Sequence, residues 1–403
     1  MTEKTLVITG LGAVTPLGTG ADKYWNNLIA GACGIGEIAG IDTAALPIHR
    51  AGEVRDFEPR DYMPKPLMLD TAPFARYAYA AAAQAVESSG LATASDRVAV
   101  VMGTALQGMD HLARVQKDYD EGGKGGDPKL MIKYMGNLAA AQFAIHKGIQ
   151  GPSLTVGTAC SSGGDAVTAA ALLLISGMAD AAVVMAGEAA ICPQAILSLN
   201  RTRALSPTGE SRPFSEDRSG FVLGEGGGAV VLETEEHAKK RLAPIRARLL
   251  SFANNTDAFH PVSPQPEGKQ AAACMRLALR MAGLGPADIG YVNAHGTATP
   301  KGDLAEALAM HAVFGEDQPL VSSTKGATGH MMGAGGITEL IACVRALETG
   351  LLPPNLGLTR QDPACGLRLV TAGRQEAAVA AAMTNAFGFG GQNACLIVGK
   401  GEA

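Results

Sequence analysis

With 403 residues, 47% of them hydrophobic and 18% charged, the chain can bury a large core, and this balance excludes an intrinsically disordered protein. A net charge of −5 without any long basic run excludes general attraction to nucleic acid or to an anionic membrane surface. Only 4% is aromatic while 51 residues are glycine, so the core is packed from small side chains with close backbone approaches.

The chain opens Met-Thr-Glu-Lys and runs straight into an apolar segment, without the basic start, long apolar stretch and cleavage site of a signal peptide. The seven cysteines are odd in number, scattered and never at metal or redox spacing, which suits a reducing compartment. The longest uncharged apolar stretch, between Asp165 and Asp180, is shorter than the roughly 20 residues that span a bilayer and reads as a buried helix. The expectation is a cytoplasmic protein with no membrane and no nucleic-acid partner.

In chain order, strands are expected over 5–10, 97–102, 153–156, 181–186 and 228–232, with helices over 71–88, stopped by Gly90, and 164–175, stopped by Gly177. The second half repeats the theme: strands over 245–252, 289–293, 320–322, 380–384 and 394–398 alternate with helices over 268–282, 302–314 and 335–349. Two segments, 221–232 and 387–398, both run from a phenylalanine through glycines into an apolar strand. This echo predicts a duplicated α/β unit, 1–240 and 241–403, joined at a charged crossing containing Glu235, Glu236, Lys239 and Lys240. Buried strands with apolar helices on both sides give a five-layer α-β-α-β-α architecture.

Four motifs carry chemistry. Gly157-Thr-Ala-Cys160-Ser-Ser-Gly-Gly164 lies between a strand and a very apolar helix. There the positive end of the helix is expected to lower the thiol from its ordinary value of about 8.5 and make Cys160 a nucleophile. Val292-Asn-Ala-His295-Gly-Thr297-Ala-Thr299 places His295 at the carboxyl edge of a strand, where open sheets bind ligands, with two hydroxyls, Thr297 and Thr299, for a polar cofactor arm. Ser322-Ser-Thr-Lys325-Gly-Ala-Thr-Gly-His330 again follows a strand and supplies a second histidine and a lysine. Asn385-Ala-Phe387-Gly-Phe389-Gly-Gly391 is a glycine loop whose Phe389 can cover a pocket.

Two other readings meet obstacles. Gly10-Leu-Gly12 after the first strand suggests a dinucleotide fingerprint, but Thr15 stands where the third glycine is needed. Cys160 and His295 have the separation of a papain-like protease, but Ala159 and Ser161 replace its local signature.

In this order and at these spacings the four motifs resemble the elongating β-ketoacyl-acyl carrier protein synthases, most closely the type II synthase of dissociated fatty acid synthesis, over essentially the whole chain. The resemblance implies a thiolase-like fold and a homodimer, or a heterodimer with a ketosynthase-like partner. It implies a Cys-His-His site at Cys160, His295 and His330, an ion pair between Lys325 and Glu339, and a polar network containing Glu306. It also implies a gate at Phe389, an acyl-pocket residue at Leu106 and a phosphopantetheine arm along Thr297 and Thr299. The implied reaction is decarboxylative condensation of an acyl-enzyme thioester with malonyl-acyl carrier protein, releasing CO2. Substrates arrive as phosphopantetheine thioesters of acyl carrier protein, with no tightly bound cofactor and no metal. Thiolases differ by a second catalytic cysteine near the C-terminal glycine loop, whereas Cys395 is expected within the strand that follows it. One departure concerns the carrier: much of the family's basic docking patch is absent from 61–77, and Thr208 replaces a family arginine. This keeps a ketosynthase of a specialised type II polyketide or polyene pathway as the alternative, with Lys65, Arg201 and Arg203 as compensating charges.

Overall fold

The computed structural model describes residues 4–123, 126–371 and 373–401, so the outer ends of the two expected halves, 1–3 and 402–403, lie outside the described residues. Ten strands form one continuous path: β1 (Leu6–Thr15), β2 (Val98–Gly103), β3 (Ser153–Val156), β4 (Ala181–Glu188), β5 (Gly226–Thr234), β6 (Ala247–Thr256), β7 (Ile289–Asn293), β8 (Leu320–Ser322), β9 (Ala381–Gly388) and β10 (Gln392–Lys400). Their spatial order is β8-β7-β9-β10-β6-β1-β5-β4-β2-β3. Counted outward from the centre, both halves follow the same order, first, fifth, fourth, second and third. The two halves join through antiparallel pairing of β1 with β6, Leu6 facing Leu249. The echo seen in the sequence runs into β5 and β10, which are equivalent in that order.

The layers follow from burial. Helices α1 (Pro73–Ser89) and α2 (Gly136–Lys147) cover the outer face of the first half, with Phe74, Tyr79 and Phe143 buried against Val98, Val100 and Met102. Helices α3 (Ser162–Ile175) and α4 (Gly335–Thr349) lie between the sheet halves and share one core. Helices α5 (Lys269–Ala282) and α6 (Pro300–Phe314) cover the outer face of the second half. The five-layer α/β expectation therefore holds, and no helix among the described residues is long and apolar enough to cross a membrane.

Three expectations need correction. β1 continues through Gly10 and Gly12 to Thr15, so these glycines lie within a strand and form no phosphate-binding turn. A Cβ on Gly10 or Gly12 would lie 2.0 or 1.9 Å from a carbonyl oxygen of α1, so their absence of side chain is what lets helix and sheet meet. The helices over Met109–Asp120, Leu130–Tyr134, Gly136–Lys147 and Pro193–Arg201 were not expected. The first two of these bury no residue fully and leave Leu112, Met131 and Ile132 exposed, so their apolar residues mark no core-facing stripe. Finally, the apolar stretch within 165–180 is not wholly buried: Leu172 is 54% and Met178 56% exposed.

Candidate active site

The carboxyl ends of β2, β3, β4, β7, β8 and β9 feed residues into one place, and the strand order explains why. β3 and β8 occupy equivalent positions, so the turn bearing Cys160 and the turn bearing Lys325 and His330 are related by the same approximate twofold symmetry. Each leads into a central helix, α3 or α4, and the two helix starts meet through glycine. A Cβ on Gly336 would lie 2.7 Å from the Gly164 nitrogen, and one on Gly163 would lie 2.7 Å from the Gly333 oxygen. This contact is possible only without side chains, and it brings the two turns together.

Cys160 sits in a short 3-10 turn, Ala159–Ser161, immediately before α3. Ala159 takes a left-handed φ of 52°, a conformation costing roughly 1–2 kcal/mol in an L-residue. Local hydrogen bonds hold it: the Thr158 N–H donates to Ser162 Oγ at 2.9 Å, and Ser162 Oγ donates to the Ala159 carbonyl at 2.6 Å. The Thr158 and Ser161 hydroxyls both donate to Asp165, at 2.6 and 2.9 Å, while Asn254 of β6 donates to its other oxygen at 3.1 Å.

His330 Nε2 lies 3.0 Å from Cys160 Sγ, and the His295 ring stands edge-on to His330 with centroids 5.4 Å apart. All three side chains are buried, and Nδ1 of each histidine has no hydrogen-bond partner among the described residues. Burial holds both imidazoles well below the usual histidine range, and the Lys325 charge acts in the same direction. The imidazoles are therefore neutral at physiological pH.

The cysteine departs from its expected state. Burial pushes the thiol up to about 12, opposed by the Lys325 charge and by a hydrogen bond from the Phe389 backbone N–H. Its position before the helix does not make a resting thiolate; the thiol is protonated beside a neutral imidazole able to accept its proton. The Phe389 N–H reaches the sulfur because β9 ends against the nucleophile turn: a Cβ on Gly388 would lie 2.6 Å from the Thr158 oxygen and 3.3 Å from the Cys160 nitrogen.

Lys325 and Glu339 form an ion pair, each 2% exposed. Burial raises the Glu339 carboxyl and the Lys325 charge lowers it. Glu306 accepts the backbone N–H groups of His295 and Gly296 at 2.9 and 2.7 Å, fixing the strand end that presents His295. Thr297 and Thr299 lie on the same turn with hydroxyls 3.1 Å apart, and Thr299 caps α6 by accepting the Gly302 N–H at 3.2 Å. Leu106 packs against the apolar cluster that contains Cys160, Ile191, Ile196, Phe221 and Met332. Every candidate residue thus lies in or around one site. Cys395 is fully buried within β10.

Two buried acids went unnoticed in the sequence: Asp165, which ties the nucleophile turn to β6, and Glu188, the last residue of β4. The available signal was a single acid in an otherwise apolar run, AAVVMAGE for Glu188.

Comparison with known proteins agrees with this architecture. Residues 3–238 match the N-terminal domain of beta-ketoacyl synthases and residues 246–359 the C-terminal domain. The chain is 37% identical to a 3-oxoacyl-acyl-carrier-protein synthase 2 of Coxiella burnetii, over 99% of each chain. Among solved structures it is similar to the ishigamide ketosynthase/chain length factor, with TM-score 0.94 and 33% identity over 100% of both chains. It is also similar to a type II polyketide ketosynthase complex with its acyl-carrier protein, AntDE:AntF, with TM-score 0.90 and 27% identity over 99% of this chain and 100% of that one. A thiol, two neutral imidazoles and a buried lysine on a duplicated sheet, together with matches over both halves, establish that the chain belongs to the beta-ketoacyl synthase family.

Proposed function

We propose that this chain extends acyl chains by decarboxylative condensation with malonyl-acyl carrier protein, giving β-ketoacyl-acyl carrier protein and CO2 in fatty acid elongation. The observation that carries the reading is the 3.0 Å contact of His330 Nε2 with Cys160 Sγ, with His295 beside it. In the first step Sγ bonds to the acyl carbonyl, His330 Nε2 takes the thiol proton while the proton on Nδ1 is given up, and the carrier thiolate leaves and is protonated, so that His330 is left neutral with its proton on Nε2. In the second, the carboxylate bond of the malonyl group breaks, CO2 departs, and the electron pair becomes an enolate whose oxygen accepts Nε2–H from His295 and His330. In the third, the enolate carbon attacks the acyl-Sγ carbonyl, the backbone N–H groups of Cys160 and Phe389 hold the oxyanion, and its collapse breaks the bond to Sγ and releases the cysteine as a thiolate, which takes up a proton from solvent to restore the thiol.

In this scheme Lys325, paired with Glu339, keeps both imidazoles neutral, and Glu306 sets the backbone under His295. Thr297 and Thr299 flank the phosphopantetheine arm, Leu106 lines the acyl site and Phe389 gates it. Acyl carrier protein is the substrate carrier, no resident cofactor is required, and the enzyme works in the cytoplasm. A second copy of the chain covers the exposed edge strand β3, whose Leu154 is 44% exposed, and the exposed Leu172 of α3, giving a homodimer. The division into halves 1–240 and 241–403 goes with this assignment.

One observation favours a second reading, a specialised type II polyketide or polyene ketosynthase. Lys65, Arg201 and Arg203 are exposed with no carboxylate partner among the described residues, while the family's arginine position holds Thr208. Such a rearranged basic surface suits a dedicated carrier. Incubation with acyl- and malonyl-carrier thioesters should release CO2 and form the β-keto product only when both are present. Malonyl decarboxylation without any condensed product would refute the elongating assignment.

A further inference from the structure

Glu188 ends β4 with no exposed surface and no cation partner among the described residues. An unpaired buried carboxylate is costly unless hydrogen-bond donors surround it. Here they do, and all of them come from two segments. Oε1 accepts the Thr104 hydroxyl at 2.5 Å and the Ala105 N–H at 2.7 Å, and the Leu106 N–H is shared between Oε1 at 3.3 Å and Oε2 at 3.2 Å. The backbone N–H of Gly333 donates from the other side. The segments are themselves in close contact, since a Cβ on Gly333 would lie 2.8 Å from the Ala105 nitrogen.

Thr104 to Leu106 form the turn that carries Leu106 against the Cys160 cluster, and Gly333 follows Met332 of the same cluster, three residues after His330. The ends of the turn are held elsewhere, the Thr104 N–H donating to the Val156 carbonyl at 3.2 Å and the Met109 N–H to the Leu106 carbonyl at 3.3 Å, while Gln107 takes a left-handed φ of 55° and its N–H donates to Thr104 Oγ1 at 3.2 Å. The Ala105 and Leu106 N–H groups themselves go to the Glu188 carboxylate, which is thus the group that ties this stretch to Gly333.

We propose that Glu188 is a positioning residue which locks the Leu106 turn to the His330 segment and thereby sets the acyl length accepted on Cys160, an inference that rests on the ketosynthase reading above. Glu188→Gln tests it closely. The amide keeps one acceptor for Thr104 and Ala105 but turns a second donor towards the shared Leu106 N–H, loosening that wall while preserving volume. Thr104→Val removes one donor to the carboxylate, together with the acceptor of the Gln107 N–H, and leaves the carboxylate in place.

The experiment measures kcat/KM for Cys160 acylation by a series of saturated acyl-carrier thioesters from short to long, with the KM for malonyl-carrier alongside, in the full-length chain and both variants. The expected result is a change of roughly tenfold in the long-to-short ratio in both variants, with an unchanged malonyl KM. If Glu188→Gln does not fold, the Thr104→Val ratio decides. A uniform loss across the series, or an unchanged ratio, would overturn the inference while leaving the parent reading intact. Absence of any Cys160 adduct in the unmodified chain would overturn both.

Discussion

Lys325 and Glu339 are each other's buried charge partner, and the same Lys325 charge bears on Cys160, His295 and His330. Lys325→Met strands a buried carboxylate and should cost about 3–5 kcal/mol, whereas adding Glu339→Leu should recover most of that loss. Urea unfolding of the single and double variants measures the difference. The histidines are now lowered partly by Lys325, so its removal raises them. The acid limb of malonyl decarboxylation, where neutral imidazole is lost, should move to higher pH in Lys325→Met.

The buried thiol gives a second prediction. A thiol pushed up to about 12 stays protonated near neutrality, so alkylation of Cys160 by iodoacetamide should keep accelerating through the whole alkaline range accessible to the folded protein. Mass spectrometry of the Cys160 peptide gives the rate. A plateau near neutral pH would instead mark a resting thiolate-imidazolium pair.

Gly388 tests the close approach that brings the Phe389 N–H to the sulfur. With a Cβ placed 2.6 Å from the Thr158 carbonyl oxygen, Gly388→Ala must displace the loop or the nucleophile turn. It should lower condensation by about 10²-fold or more, the scale of losing one oxyanion donor, while costing only about 1–3 kcal/mol of stability. Single-turnover condensation and thermal denaturation together separate the two effects.

Glu225 offers a pH-dependent check on the core. Burial raises its carboxyl from 4.5 to about 7, with Glu53 and Asp110 adding to the rise, while the Val54 N–H and Tyr77 hydroxyl oppose it. A raised acid contributes stability that is full below its unfolded value and is lost as pH climbs through the folded one. Both hydrogen bonds go to Oε1, at 3.1 and 3.2 Å, so a glutamine can keep them. Glu225→Gln should match the parent at about pH 5 and be more stable by roughly 1–3 kcal/mol at about pH 8. Paired melting curves at the two pH values decide it.

The site was legible because Cys160, His295 and His330 each follow a strand and a glycine-rich turn, a local pattern that survives in one dimension. Glu188 and Asp165 were not, since a lone acid in an apolar run says nothing about donors drawn from distant segments such as Gly333 and Asn254. The fold was legible where β-strand runs were bounded by glycine. It was misread in β1, where Gly10 and Gly12 lie inside a strand because a helix presses on them, a tertiary cause invisible to local propensity. The thiol was misjudged for a related reason: its place before α3 was visible, but the desolvation that opposes ionisation comes from the whole assembled site.

The central claim is a covalent thioester on Cys160, and intact-mass spectrometry after incubation with acyl-carrier thioesters tests it most directly. The account predicts one acyl mass increment per chain, released on adding malonyl-carrier thioester and absent in Cys160→Ala. An adduct that persists in Cys160→Ala, or a folded chain that takes no acyl group from any carrier, would contradict it.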